Sequence, residues 1–134
     1  MITLASVNVV MAISDIDIEY GSYTKGTAYV QGTYNGGLVY SGSGYMKGTI
    51  LYDLPSGNCL ALAWVFDWVD DSGHHSEGNE GYFANWYLAG QSASIPKDNY
   101  PTSYQIMSSG KSGYGVPGSP KHWETDVSAG IPYS

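Results

Sequence analysis

The fold is decided by the stretch TAYVQGTYNGGLVY, which spans residues 27–40. Both flanks of this stretch mix β-branched and aromatic side chains, which favour extended strands. Its centre, Asn35-Gly36-Gly37, is typical of a tight turn, because asparagine and glycine tolerate the positive φ angles that hairpin turns need. The stretch therefore predicts a β-hairpin.

Further strands are expected on the N-terminal side of this hairpin. Residues 15–20 alternate polar and apolar side chains, which is the period of a half-buried strand. This alternation predicts that Ile16, Ile18 and Tyr20 face the core. Apolar residues within 2–11 favour one or two more strands.

A second hairpin is expected on the C-terminal side. Residues 45–53 favour a strand, Pro55 and Gly57 favour a turn, and residues 58–66 are apolar almost throughout. We expect the two strands to pair, with the second one central and covered on both faces. Cys59 lies in this apolar run, so we expect a buried small side chain there and not a catalytic thiol.

The remaining chain is expected to be less regular. Residues 67–80 hold five of the twelve acidic residues and predict a long acidic loop insertion. Residues 82–88 favour a strand or an edge segment that is dense in aromatics. Residues 95–104 predict irregular chain with a short helical turn near its end, and the Gly, Ser and Pro of residues 108–120 predict a loop. Residues 121–127 favour the final strand.

These elements favour an all-β fold. The sequence lacks the 3.6-residue period of an amphipathic helix, and short strands separated by turn signals are typical of a β-sandwich or barrel. A chain of 134 residues fits one domain. We expect a single compact antiparallel β-sandwich over residues 1–134, with long loops and at most one or two short helices.

The composition narrows the class of partner. A net charge of −7 and only five lysines give no basic footprint for nucleic acid. A zwitterionic choline lipid or a glycan stays open as a partner. No P-loop or dinucleotide motif is present, so no cofactor is expected. No side chain lies in a catalytic motif, so we expect a binding protein and not an enzyme.

Aromatic side chains are the strongest candidate binding residues. Tyr and Trp combine an apolar ring with a polar tip, which suits sugars and lipid headgroups, and an aromatic cage holds a quaternary ammonium by cation–π attraction. Binding and core packing are both open for most of them, whereas Trp64 is expected in the core. The candidates are Trp68, Tyr82, Phe83, Trp86, Tyr87, Tyr100, Tyr104 and Tyr114.

The acidic segment also offers weak candidates for a metal site. Carboxylates and adjacent histidines can bind divalent cations, but their spacing here matches no EF-hand or zinc signature. We therefore expect a solvated loop without a metal. The weak candidate ligands are Asp70, Asp71, His74, His75 and Glu77.

Residues 48–64, GTILYDLPSGNCLALAW, resemble a strand–turn–strand of the sea-anemone cytolysin (actinoporin) family. Three further features follow in the family's order: Asn85-Trp86, the pair Tyr100 and Tyr104, and Gly113-Tyr114-Gly115. The resemblance implies a compact β-sandwich with two short helices. It also implies a toxin that binds phosphocholine headgroups, sphingomyelin above all, and that assembles into pores on the membrane.

The resemblance also assigns residues to sites. The family has an aromatic headgroup pocket and an aromatic loop that enters the membrane interface. On this chain the pocket would hold Phe83, Tyr100 and Tyr104. The membrane-facing aromatics would be Trp68, Tyr82, Trp86, Tyr87 and Tyr114, with Trp86 also the candidate to stack on a sugar.

The chain departs from the family pattern at its N-terminus. Residues 1–20 favour strands, whereas the family lines its pore with an N-terminal amphipathic helix. The resemblance therefore leaves open a pore-forming toxin and a non-lytic relative. Some mushroom lectins share the same sandwich, which makes a carbohydrate-binding lectin the alternative. Residues 1–12 show no signal-peptide pattern, while the resemblance implies a secreted or membrane-associated protein.

Overall fold

The computed structural model describes residues 10–84 and 88–132. Eight strands lie in these ranges: β1 (Met11–Tyr20), β2 (Thr24–Asn35), β3 (Leu38–Ile50), β4 (Cys59–Asp70), β5 (Gly73–Phe83), β6 (Ser92–Tyr100), β7 (Gln105–Gly115) and β8 (His122–Ile131). The strands expected within residues 2–9 lie outside the described ranges. Within those ranges no helix is long and apolar enough to cross a membrane.

The strands form two antiparallel sheets of four that pack face to face. Sheet A has the order β1-β2-β3-β6, and sheet B has the order β5-β4-β7-β8. This arrangement confirms the predicted all-β sandwich. Along one side of the sandwich β1 packs against β8, whereas along the other side a groove separates β5 from β6.

The core lies between the inner faces of the two sheets. Glycines on these faces allow close packing: a Cβ on Gly48 would lie 2.2 Å from Leu62 Cδ2, and a Cβ on Gly110 would lie 2.7 Å from Met46 Cγ. Cys59 is buried, as predicted. The largest fully buried side chains are Met46, Ile50, Leu60, Leu62, Ile106 and Ile131.

The central hairpin of sheet A is the predicted one. β2 and β3 pair antiparallel around Gly36 and Gly37, whose φ angles are 62° and 84°. Glycine adopts such angles without strain because it has no Cβ. The register shifts between Gln31 and Thr33, so a β-bulge interrupts the ladder beyond the turn.

The predicted second hairpin is wrong, because β3 and β4 belong to different sheets. The turn between them does form, since the Asn58 amide donates a hydrogen bond to the Pro55 carbonyl at 3.0 Å. It carries the chain from one sheet to the other. β4 is central, as predicted, and pairs with β5 and β7. Its outer face is only partly covered, since Val65 is 36% exposed.

The acidic segment 67–80 is a β-hairpin and not a loop. β4 continues to Asp70, β5 begins at Gly73, and polar side chains pair between them: His74 Nε2 lies 3.0 Å from Asp67 Oδ1. β5 is one of the two edge strands of sheet B. Edge strands carry charged side chains that discourage pairing with other chains, so a strand of this kind has the composition of a loop.

Two segments that are expected to be irregular, residues 95–104 and 108–120, instead contribute to the strands β6 and β7. β6 contains Pro96 and no helical turn, and a proline is tolerated there because β6 is an edge strand. β7 covers the first part of the predicted Gly/Ser/Pro loop, and its small side chains lie where the sheets approach closely. The final strand is confirmed and extends to Ile131.

β1 presents the opposite face from the one predicted. Ile16, Ile18 and Tyr20 point to solvent, with exposed fractions of 52%, 43% and 66%. The alternation of residues 15–20 is real, but the polar side chains are the ones that turn toward the second sheet.

Two carboxylates explain this choice of face. Asp17 Oδ2 accepts a hydrogen bond from the Ser128 amide at 2.9 Å, and Asp15 Oδ2 accepts one from the Gly130 amide at 3.0 Å. These amides belong to β8, an edge strand of sheet B, whose outward N–H groups have no neighbouring strand to pair with. The inward carboxylates satisfy them with charge-assisted hydrogen bonds.

Candidate functional site

The outer face of sheet A carries a row of side chains that crosses all four strands. The ladders place Ile16 of β1 opposite Tyr29 of β2, Tyr29 opposite Tyr45 of β3, and Tyr45 opposite Pro96 of β6. We call Ile16, Ile18 and Tyr20 the β1 stripe. Contiguous exposed apolar groups of this kind mark interaction surfaces.

Tyr29 and Tyr45 form the centre of this face. Their ring centroids are 5.1 Å apart, with 35° between the planes. The Tyr29 hydroxyl donates to Gln31 Oε1 at 3.1 Å, and Gln31 Nε2 donates to Ser43 Oγ at 2.9 Å. This chain of hydrogen bonds holds the Tyr29 ring in place.

The two rings border a hollow of about 300 Å³, which we call the tyrosine hollow. Aromatic faces beside a carboxylate attract an organic cation, because the π-electron surface and the carboxylate are both negative. The other residues that line the hollow are Ser43, Gly44, Ser94, Pro96, Lys97 and Asp98.

This face is the basic side of an acidic chain. Lys25 and Lys47 are opposite Tyr20 and Thr27 in the strand ladders, and Lys25 Nζ lies 5.2 Å from the centroid of the Tyr20 ring. The acidic side chains of β1 alternate onto the inner side. The face can therefore approach an anionic group without repulsion from β1.

The predicted headgroup pocket is not assembled. Tyr100 is only 4% exposed. Phe83 packs edge-on against Trp64, with centroids 6.1 Å apart, while the Tyr104 hydroxyl donates a hydrogen bond to Asp71. Phe83 is the last residue of β5, whereas Asp71, the partner of Tyr104, comes just before this strand begins. The 11 residues of β5 therefore separate Phe83 from Tyr104.

Tyr100 is a buried ionisable group, and its hydroxyl donates a hydrogen bond to the Met107 carbonyl at 2.8 Å. Burial, with a smaller contribution from Asp67 and Glu77, raises the pKa of Tyr100 well above its usual value. The folded state therefore keeps this proton at alkaline pH values where the unfolded state loses it.

We expect this pKa difference to lower the free energy of unfolding as pH rises above about 10, by up to about 1.4 kcal/mol per pH unit. Below about pH 10 both states keep the proton, so no slope arises there. Tyr100→Phe removes the ionisable group and should flatten the alkaline slope. Urea unfolding between pH 8 and 11.5 measures it, and equal slopes in the two proteins would contradict the expectation.

A cation–π cage exists inside the sandwich, but a lysine occupies it. Lys97 Nζ lies 4.8 Å from the Trp68 ring centroid, 5.7 Å from that of Tyr100, and 2.6 Å from Glu77 Oε1. The two rings are close to perpendicular, at 78°. A ligand ammonium would have to displace Lys97 here, which the open tyrosine hollow does not require.

The predicted membrane-facing aromatics do not share a face. Trp68 and Tyr114 lie on the inner side of sheet B, whereas Tyr82 lies on its outer side. Trp86 and Tyr87 lie outside the described residues. The structure therefore gives no common aromatic surface for the three described members of this set.

The candidate metal ligands do not converge. His75 Nε2 lies 2.9 Å from Asp70 Oδ1, and hydrogen bonds from Ser72 and His75 hold the pKa of Asp70 below its usual value. In the described parts of the chain, no group of three or more His, Cys, Asp or Glu side chains could hold an ion. The other candidates have separate partners: His74 with Asp67, Glu77 with Lys97, and Asp71 with Tyr104.

Sequence reasoning misses the residues that the structure does bring together on sheet A. Tyr29 and Tyr45 lie in strands that the sequence predicts, but their pairing depends on the bulge in β3, where Ser41 and Gly42 are opposite the single residue Gly32. The alternation of residues 15–20 predicts that the β1 stripe faces the core. The signal that could have corrected this assignment is the pair of aspartates beside the isoleucines, since edge strands often turn charged side chains inward.

Comparison with known proteins assigns no family to this chain. A scan against protein-family models gave no match, and a search of the curated proteins found no similar protein. The resemblance to the sea-anemone cytolysins stays a prediction.

Proposed function

We propose that the protein binds choline lipid headgroups at a membrane surface through the outer face of sheet A. The observation that carries the proposal is the row in which the exposed Ile16 leads to Tyr29 and Tyr45 across the sheet. An apolar edge and an aromatic hollow on one face combine the two contacts that a zwitterionic bilayer surface offers.

The apolar contact comes from the β1 stripe. Isoleucine gains free energy when its exposed surface leaves water, and tyrosine is suited to the headgroup layer because its ring is apolar and its hydroxyl is polar. Ile16, Ile18 and Tyr20 lie on alternate positions of one strand, so they reach the same depth together.

The headgroup contact comes from the tyrosine hollow. The faces of Tyr29 and Tyr45 attract the quaternary ammonium of choline by cation–π interaction, and the Asp98 carboxylate adds opposite charge. Lys25 and Lys47 supply ammonium groups for the lipid phosphates. A face that has both a cation-binding hollow and two lysines suits a zwitterionic lipid better than a purely anionic one.

The same proposal covers a pore-forming toxin and a non-lytic relative that only binds. Dye release from the vesicles used for binding separates the two, since a pore empties them and surface binding does not.

Co-sedimentation with phosphatidylcholine and sphingomyelin vesicles tests the proposal. We expect Tyr45→Leu to weaken binding about five-fold, because a cation–π contact contributes about 1 kcal/mol at a partly exposed site. Tyr52→Leu is the matched control, since Tyr52 is 65% exposed but lies outside the strands. Failure of the unmodified protein to bind either vesicle, or equal binding to vesicles of phosphatidylglycerol, would contradict the proposal.

A further inference from the structure

The groove between β5 and β6 lies at the opposite edge of sheet A from the β1 stripe. It is an opening of about 230 Å³ into the space between the sheets. This volume is below the about 300–1,000 Å³ of pockets that hold drug-sized ligands, so it suits a group the size of one sugar ring. Its lining residues are Trp64, Phe66, Glu77, Gly78, Asn79, Ile95 and Pro96.

Trp64 supplies a half-buried aromatic surface to this groove. It packs against both parts of the core and meets Phe83 edge-on. The indole therefore offers a partly exposed apolar ring to a ligand in the groove.

Asn79 lies directly opposite Trp64 in the β4–β5 ladder. Its Oδ1 accepts a hydrogen bond from the Glu80 amide at 2.8 Å, whereas its Nδ2 has no partner among the described residues. A ligand in the groove would thus meet an aromatic ring and a side-chain amide at the same level of the hairpin.

The charge in the groove is already compensated. The Glu77 carboxylate lies 2.6 Å from Lys97 Nζ, and that ammonium also lies over the rings of Trp68 and Tyr100. The other lining residues carry no charge. A charged ligand would find no free counter-charge here, so a neutral ligand is favoured.

We propose that this groove is a second binding site, which takes one ring of a neutral saccharide. The apolar face of the sugar packs on Trp64, and its hydroxyl groups accept from Asn79 Nδ2 and donate to the Glu77 carboxylate. Aromatic surface with a few placed polar groups is the usual composition of such sites. The groove adjoins the tyrosine hollow at Pro96, which borders both, but Trp64, Glu77 and Asn79 line only the groove, so the two sites can be tested independently.

A glycan array that carries neutral, sialylated and sulfated glycans tests this proposal, followed by titration of a free neutral hit with tryptophan fluorescence. We expect neutral glycans to bind, and Asn79→Ala and Trp64→Phe each to weaken the binding about ten-fold, since one lost hydrogen bond to an uncharged group contributes about 1 kcal/mol and some packing is lost with it. Ser76→Ala is the control on the same strand, because Ser76 alternates onto the outer face.

Three outcomes would overturn the proposal: no glycan bound, only acidic glycans bound, or neutral binding that survives both groove variants. Urea unfolding of each variant shows whether a loss of binding reflects a loss of fold. Vesicle binding by the same variants separates the two sites, because Asn79→Ala leaves the outer face of sheet A intact. Loss of vesicle binding with Asn79→Ala would contradict that separation.

Discussion

Replacement of Ile16 and Ile18 together by serine should lower the affinity of the protein for phosphatidylcholine vesicles by about 30-fold. Each side chain is about half exposed in solution, so each can bury about half of its apolar surface in the bilayer interface. Full burial of an isoleucine contributes roughly 1.5–3 kcal/mol, so half burial of two gives about 2 kcal/mol, which corresponds to about 30-fold. Co-sedimentation across a range of lipid concentrations measures the change.

The matched control is Val65→Ser, which removes an apolar side chain that is 36% exposed on the outer face of sheet B. It should leave vesicle binding unchanged. Because Ile16 and Ile18 point to solvent, the double variant should keep its free energy of unfolding within about 1 kcal/mol. Unchanged vesicle affinity in the double variant would show that the β1 stripe does not meet the membrane.

The β2–β3 hairpin could be predicted because its cause is local. Gly36 and Gly37 supply the positive φ angles of the turn, and the flanking side chains favour strands without help from distant residues. The strand partner of β4 could not be predicted in this way. The turn at residues 55–58 defines the local course of the chain, but it does not determine whether the next strand joins the same sheet.

The alternation of polar and apolar residues in β1 predicts a strand, but it does not determine which of the two sets of side chains faces the core. Strict alternation places the aspartates and the isoleucines on opposite sides, and hydrophobicity alone favours the isoleucines as the inward set. The opposite result follows from the backbone amides of Ser128 and Gly130, which donate hydrogen bonds to the two carboxylates. Those amides are more than 100 residues away, so no local pattern contains this information.

The composition of β7 is likewise insufficient to predict its structure. Its Gly and Ser content favours a loop, yet Gly110 lies in a strand where a Cβ would stand 2.2 Å from the Ala63 carbonyl oxygen. Small side chains are needed there for close packing and not for turning. Composition cannot separate these two reasons for glycine.

The tyrosine hollow depends on one irregularity. Counting back from the turn in perfect register places Tyr29 opposite Gly44, whereas the bulge between Gln31 and Thr33 moves it opposite Tyr45. One inserted residue thus brings the two rings together. A bulge of this kind has no clear signal in a single sequence, so the strands of the site were predictable but their pairing was not.

Replacement of Glu124 by alanine should lower the free energy of unfolding by about 3 kcal/mol. The Glu124 carboxylate accepts hydrogen bonds from the amides of Ser22, Tyr23 and Thr24 and from the Thr24 hydroxyl, at 2.8–3.0 Å. It joins β8 to the connection between β1 and β2, about 100 residues away in the chain. A hydrogen bond to a charged group contributes about 1.5–3 kcal/mol when it is removed singly, but bonds to one partly exposed carboxylate do not add and water replaces part of their contribution, so we expect about 3 kcal/mol for the whole group.

Urea unfolding at neutral pH measures the effect, and two variants show its cause. Glu124→Gln keeps the length of the side chain and one oxygen acceptor, so it should lose about half as much stability as Glu124→Ala. Asp126→Ala removes an exposed carboxylate from the same strand and should change stability by less than about 0.5 kcal/mol. If Glu124→Ala behaves like Asp126→Ala, the connection is held by the backbone hydrogen bond from Gly21 to Thr24, and the carboxylate does not hold the two sheets together at this end.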